Sequence, residues 1–67
     1  MSDVARVTEI SARSPDSFQD AVKVGIERAT HTLRGVTSAW VKEQQVKVED
    51  GRITEYQVNL LVTFVLE

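Results

Sequence analysis

The sequence has no cysteine, which excludes disulfides and thiolate metal sites and leaves the redox compartment unread. Its one histidine, His31, excludes a two-histidine zinc site. An excess of charge of one sign is also missing. Eight Lys+Arg stand against ten Asp+Glu, for a formal net charge of −2. A basic surface that grips a phosphate backbone is therefore absent, and nucleic acid is not expected as a partner. No apolar run approaches the ~18–20 residues that span a bilayer, and the N-terminus carries no signal-peptide core. The expectation is a soluble, cytoplasmic protein with no membrane partner. Nucleophile elbow, glycine-rich phosphate loop and metal-ligand spacing are all lacking, so no catalysis is expected, and no catalytic or metal-ligating residue is assigned.

What remains is short. Sixty-seven residues make a single domain over 1–67. A chain of this size buries only about 60% of the surface its unfolded form exposes. Chains below ~70–80 residues usually need a staple. With disulfides and structural zinc excluded, oligomerisation is the staple left, and a second apolar face should exist.

After a short tail over Met1–Asp3, Val4–Ser11 mixes β-branched and polar residues and reads as a strand. Ala12-Arg13 reads as a connection. Ser14-Pro15-Asp16 then supplies an N-cap, a first-turn proline and an acidic residue for the helix dipole, with Ser17 and Asp20 as a second candidate start. The helix is predicted from Pro15 to about Arg34. Phe18, Val22, Gly25, Ile26, Ala29 and Leu33 form one stripe at the 3.6 period. Gly25 costs ~1 kcal/mol relative to Ala in a helix, which a close approach to a sheet would explain. Gly35 is the expected C′ stop. Val36–Val48 is the second strand, Asp50-Gly51 the hairpin turn, and Arg52–Leu66 the third strand. The reading is α+β, in the order β-α-β-β.

The turn sets a register. It pairs Glu49 with Arg52 and Val48 with Ile53, and, with no bulge, Val41 with Leu60, Ala39 with Val62 and Thr37 with Phe64. The helix should cover the face of Tyr56, Val58, Leu60, Val62, Phe64 and Leu66. The opposite face then collects Ser38, Trp40, Lys42, Gln44, Val46 and Val48 from one strand. It collects Ile53, Glu55, Gln57, Asn59, Leu61, Thr63 and Val65 from the other. Gln44 would face Gln57, and Lys42 would face Asn59. A bulge would reverse part of this arrangement. Fifteen strand residues reach about 50 Å, whereas twenty helical residues reach about 30 Å. One helix cannot cap such a hairpin, so the overhang near Val46–Gln57 must find cover on another chain.

Ser14-Pro15, Arg28-Ala29 with Thr32-Leu33-Arg34, Glu49-Asp50-Gly51, Tyr56-Gln57-Val58 and the ending Phe64-Val65-Leu66-Glu67 resemble the dodecin family in order and spacing. The likeness runs over nearly the whole chain. It implies a three-stranded antiparallel sheet wrapped around one helix and a hollow homododecamer. It implies a binding or storage role, with a flavin (FMN or riboflavin) as the leading ligand. Some bacterial members of the family also bind coenzyme A. The calcium dodecins lack the flavin-stacking aromatic.

The resemblance implies that Gln57 is the glutamine that hydrogen-bonds the flavin ring edge. The family's stacking tryptophan falls at Ser38, which has no π surface, so this sequence resembles the calcium-dodecin branch there. An arginine often carried by bacterial flavin binders falls at Gln45, the glycine after it at Val46, and a second arginine at Val65. Trp40 lies two residues from Ser38, on the same strand face and about 7 Å along it. It either stacks on a ligand from a shifted position or fills a subunit interface. The candidate ligand-binding residues are thus Trp40, Gln57, Ser38 and Gln45. His31 reads as an exposed helix residue and Tyr56 as core. Glu49, Asp50 and Glu55 read as a solvated hairpin tip, or as an ion site shared between symmetry-related tips. Apart from the family, the exposed strand edges would suit a small protein-interaction module, which a defined dodecamer would argue against.

Overall fold

A computed structural model describes residues 2–66. Met1 of the expected tail and Glu67 of the family-like ending lie outside them. The elements are β1 (Ala5–Ser14), α1 (Phe18–Thr32), β2 (Val36–Glu49) and β3 (Arg52–Val65). The strands form one antiparallel sheet in the order β1-β3-β2, and α1 packs across one face. The predicted β-α-β-β fold is the observed one. No helix among the described residues is long and apolar enough to cross a membrane.

The boundaries around Pro15 differ from the expectation. β1 does not stop at Ser11 but continues to Ser14, which pairs with Tyr56. The helix therefore starts later, with Ser17 as N-cap: its Oγ accepts from the Asp20 backbone N–H at 3.0 Å. Ser14 is instead buried at the end of the strand, where its Oγ donates to Asp20 Oδ2 at 2.6 Å. Strand pairing outcompetes the local capping signal of Ser14-Pro15. The helix also ends earlier, at Thr32 with Leu33 as C-cap. Gly35 still takes the left-handed conformation, with φ +72°, but as the entry to β2, where its carbonyl accepts from the Val65 N–H at 3.0 Å.

The helix presents a seam of small residues to the sheet. Ala21, Gly25 and Ala29 are buried, flanked by half-buried Phe18, Val22, Ile26 and Leu33. They meet Ala12 of β1 and Val58, Leu60 and Val62 of β3, the last three with no exposure. A Cβ on Gly25 would stand 3.0 Å from both Ala12 Cβ and Leu60 Cδ1, so the glycine permits the predicted close approach. Phe18 meets Tyr56 edge-on, with centroids 5.0 Å apart and planes at 77°, which places Tyr56 in packing.

The Asp50-Gly51 turn has φ +51° and +75°, as a type I′ hairpin requires. Glu49–Arg52 and Val48–Ile53 pair as predicted, and so do Ala39–Val62 and Val41–Leu60. Between these stretches the register shifts. Thr54 is an extra residue in β3 and Lys42 an extra residue in β2, so Glu43 faces Asn59, Gln44 faces Val58, Gln45 faces Gln57 and Val46 faces Tyr56. A third irregularity at Thr37 puts Val36, not Thr37, opposite Phe64. The physical reason lies on the core face. Without the bulges, the charged Glu43 would stand on the apolar side beside Val58, and Val46 would turn outward, away from Tyr56. With them, Val46 takes the inner side and Glu43 the outer. The assignments of Gln44, Val46 and Val48, and of Ile53 opposite Val48, to the outer face are thereby corrected.

β1 ends opposite Tyr56, so the hairpin beyond it is two-stranded and uncovered. Val46, Val48 and Ile53 are exposed there, the last two by 57% and 52%. The overhang expected from strand and helix lengths is present.

Candidate functional site

The sheet face turned away from α1 holds all four predicted residues. Rows across the strands follow from the pairing. Arg13, Gln57 and Gln45 make one row, Ser11, Asn59 and Glu43 the next, then Glu9, Leu61 and Trp40, and then Val7, Thr63 and Ser38.

The first two rows form a connected polar cluster. Gln57 Oε1 accepts from Arg13 Nε and from Gln45 Nε2, both at 3.4 Å. Gln57 Nε2 donates to Asn59 Oδ1 at 3.4 Å, and Asn59 Nδ2 donates to Glu43 Oε1 at 3.0 Å. Arg13 Nε also lies 3.8 Å from Glu55 Oε1. Contacts of 3.4 Å are at the long end for such hydrogen bonds. Lys42 reaches Glu9 at 3.2 Å, bordering the cluster.

The remaining rows are less polar. Trp40 is 72% exposed and sits opposite Leu61, with Val7 also exposed in the adjoining row. Ser38 and Trp40 share this face, as their spacing predicts. The structure thus brings Gln45 and Gln57 into direct contact but keeps Trp40 and Ser38 apart from them. Leu61 and Gln57 are four residues apart on β3, or about 13 Å at the usual strand rise. Trp40 and Gln57 of one subunit therefore sit at two ends of this face.

Arg13, Glu43 and Asn59 complete the cluster and were not among the sequence candidates. Arg13 was missed because β1 was ended at Ser11. The signal was available, since Thr8, Ile10 and Ala12 alternate inward while Glu9, Ser11 and Arg13 alternate outward. Glu43 was hidden by the bulge at Lys42.

His31 is exposed on α1, where its Nδ1 lies 2.9 Å from the Glu27 carbonyl. A groove of about 610 Å³ runs between α1 and β1, lined by Ile10, Ala12, Val24 and Leu33 with Arg28 beside them, and none of the four predicted residues touches it. Among the described residues no three His, Asp or Glu side chains gather as a metal site.

A family model described as Dodecin matches residues 4–67. The dodecin of Streptomyces coelicolor is 37% identical, with a TM-score of 0.92 over 97% of this chain and 93% of that one. The dodecin of Streptomyces davaonensis is 34% identical, with a TM-score of 0.93 over 100% and 98%. The calcium dodecin of Mycobacterium tuberculosis, described as a calcium-chelating antigen with a novel calcium-binding site, is 31% identical, with a TM-score of 0.82 over 96% and 91%. Among proteins of curated function, none matches the chain.

Proposed function

The chain belongs to the dodecin family, and on that footing we propose that it is a cytoplasmic small-molecule binding and storage protein, not an enzyme, working as a homododecameric shell. The leading ligand is a flavin, FMN or riboflavin. The observation that carries this reading is the outer sheet face itself. It joins a row of side-chain amides at Gln45 and Gln57 to an exposed aromatic and apolar stretch at Trp40 and Leu61. A planar heteroaromatic ligand has the same division, with a polar edge and flat apolar faces. In this site Gln57 and Gln45 meet the ring edge, Trp40 offers a ring face, and Ser38 leaves space where a larger side chain would stand.

The separation of Trp40 from Gln57 supports assembly as part of the function. Trp40 and Gln57 of one subunit stand about 13 Å apart along the sheet, a long reach for one ring system. A second copy can bring the two closer, and the uncovered hairpin and exposed Trp40 favour such packing.

A second reading rests on Ser38. Without a ring there, a flavin loses one stacking surface, which favours a flavin-free shell with an ion-binding or purely structural role. The likeness to the calcium dodecin of M. tuberculosis points the same way. Among the described residues of one subunit no three acidic side chains gather for a cation, so an ion site would use Glu49, Asp50 or Glu55 from several copies.

A fluorescence titration of FMN and riboflavin with purified protein tests the first reading, because stacking on an aromatic ring quenches flavin emission. Saturable quenching at low micromolar protein is the expected result. No quenching by an intact oligomer overturns the flavin assignment, and calcium and coenzyme A become the next titrants.

A further inference from the structure

We infer that Arg13 is a positioning residue that sets which edge of a ligand Gln57 can recognise, an inference that rests on the ligand-binding reading of the outer face. The polar cluster has a direction. Arg13 can only donate, and Glu43, when ionised, can only accept. Between them Gln57 turns its oxygen toward Arg13 and Gln45 and its nitrogen toward Asn59, which in turn donates to Glu43. Flipping the Gln57 amide would set its NH₂ against the guanidinium and the Gln45 NH₂, donor against donor. It would also leave the Asn59 oxygen without its partner.

The consequence falls on the ligand. Both lone pairs of Gln57 Oε1 are already engaged, and one Nε2 proton is held by Asn59. The free group of Gln57 is then a single N–H donor. It suits a ligand edge that presents an acceptor, such as a ring carbonyl or a carboxylate oxygen. It does not serve the N–H of an imide edge. A carbonyl-rich or anionic edge is therefore preferred at Gln57, and Arg13 imposes that preference without touching the ligand.

Arg13 lies on an exposed strand edge, with its side chain 62% accessible, so replacing it leaves the core intact. The test uses lumiflavin and N3-methyl-lumiflavin as probes on wild type, Arg13→Met and Arg13→Lys, with assembly checked by sedimentation. Methylation removes the imide donor and adds one methyl group, whose bulk is the same in wild type and variants, so the difference between them isolates the donor. In wild type it should change the dissociation constant by less than about two-fold. In Arg13→Met, where Gln57 Oε1 is freed to accept from the imide, it should weaken binding roughly five-fold, the worth of one modest hydrogen bond. A methylation penalty equal in wild type and both variants overturns the inference, because a merely structural role shifts both dissociation constants together. If neither probe binds any form, the flavin reading fails, and the positioning role is read from Gln57 itself. Side-chain ¹⁵N spectra should then show its two Nε2 protons exchanging at different rates in wild type and at similar rates in Arg13→Met. The same pattern in both proteins also overturns it.

Discussion

Gln45 and Gln57 face each other across the β2–β3 ladder, joined by an amide hydrogen bond of 3.4 Å, although strict counting from the Asp50-Gly51 turn would place Gln44 there. Thr54 and Lys42 make the difference. Each is an extra residue on its strand, and together they enclose the stretch whose register is shifted. Deleting both would leave every other pair between Val41 and Glu49 in place. Deleting Thr54 alone would leave the same pairs in place, because it removes only the unpaired residue and Lys42 still bulges. Deletion of Thr54 should therefore change stability by less than about 1 kcal/mol, as for a residue that makes no ladder pair. The double deletion should do the same. Thermal melts followed by circular dichroism check this, since 1 kcal/mol moves the midpoint by about 4–8 °C in a domain of this size. A loss of several kcal/mol on deleting Thr54 would refute the bulge account.

Most of the fold was legible because its signals are local and strong. The Asp50-Gly51 turn, the alternation in β3 and the Phe18–Leu33 stripe each reflect one geometric period. The site was legible only in part. Ser38 and Trp40 lie where register from the turn and register through the bulges agree, so their face could be read. Gln45 and Glu43 lie inside the shifted stretch, and nothing local to them records a compensation between Thr54 and Lys42. Arg13 was lost to a competing local signal, the apparent cap at Ser14-Pro15, which the pairing of Ser14 with Tyr56 overrides.

Gly25→Ala tests the close packing of helix on sheet. Alanine improves helix propensity by ~1 kcal/mol. Its Cβ, however, would meet Ala12 Cβ and Leu60 Cδ1 at 3.0 Å. Ala12 has no rotamer to change, so the helix must move, and overpacking costs about 1–3 kcal/mol. The net effect should be a loss of about 1 kcal/mol, read as a lower urea midpoint. A higher midpoint would show that the seam has room to spare.

Ser14 and Ser17 separate two roles that one local motif suggests. Ser17→Ala removes the N-cap and should cost ~1 kcal/mol. Ser14→Ala removes a buried hydroxyl that donates to Asp20 Oδ2 at 2.6 Å and accepts from the Asp16 N–H at 3.0 Å. A hydrogen bond to a charged group is worth about 1.5–3 kcal/mol. Ser14→Ala should therefore be the more damaging of the two in chemical denaturation. The reverse order would return the cap to Ser14.

Trp40→Ala addresses the residue on which the functional reading turns. At 72% exposure Trp40 contributes little to the stability of its own subunit. Its value lies in what covers it. A second subunit packed on the ring would make truncation cost about 3–5 kcal/mol per copy, as for other buried aromatics. Every subunit of a symmetric shell loses the same contact, so the effect multiplies across the assembly. A smaller species in sedimentation, with the helix signal retained, would assign the ring to a subunit interface. The expected outcome is an intact oligomer that no longer quenches flavin, as the ligand-facing role of the ring requires. An intact oligomer that quenches as wild type does would remove Trp40 from both roles and leave Gln57 and its neighbours as the binding surface.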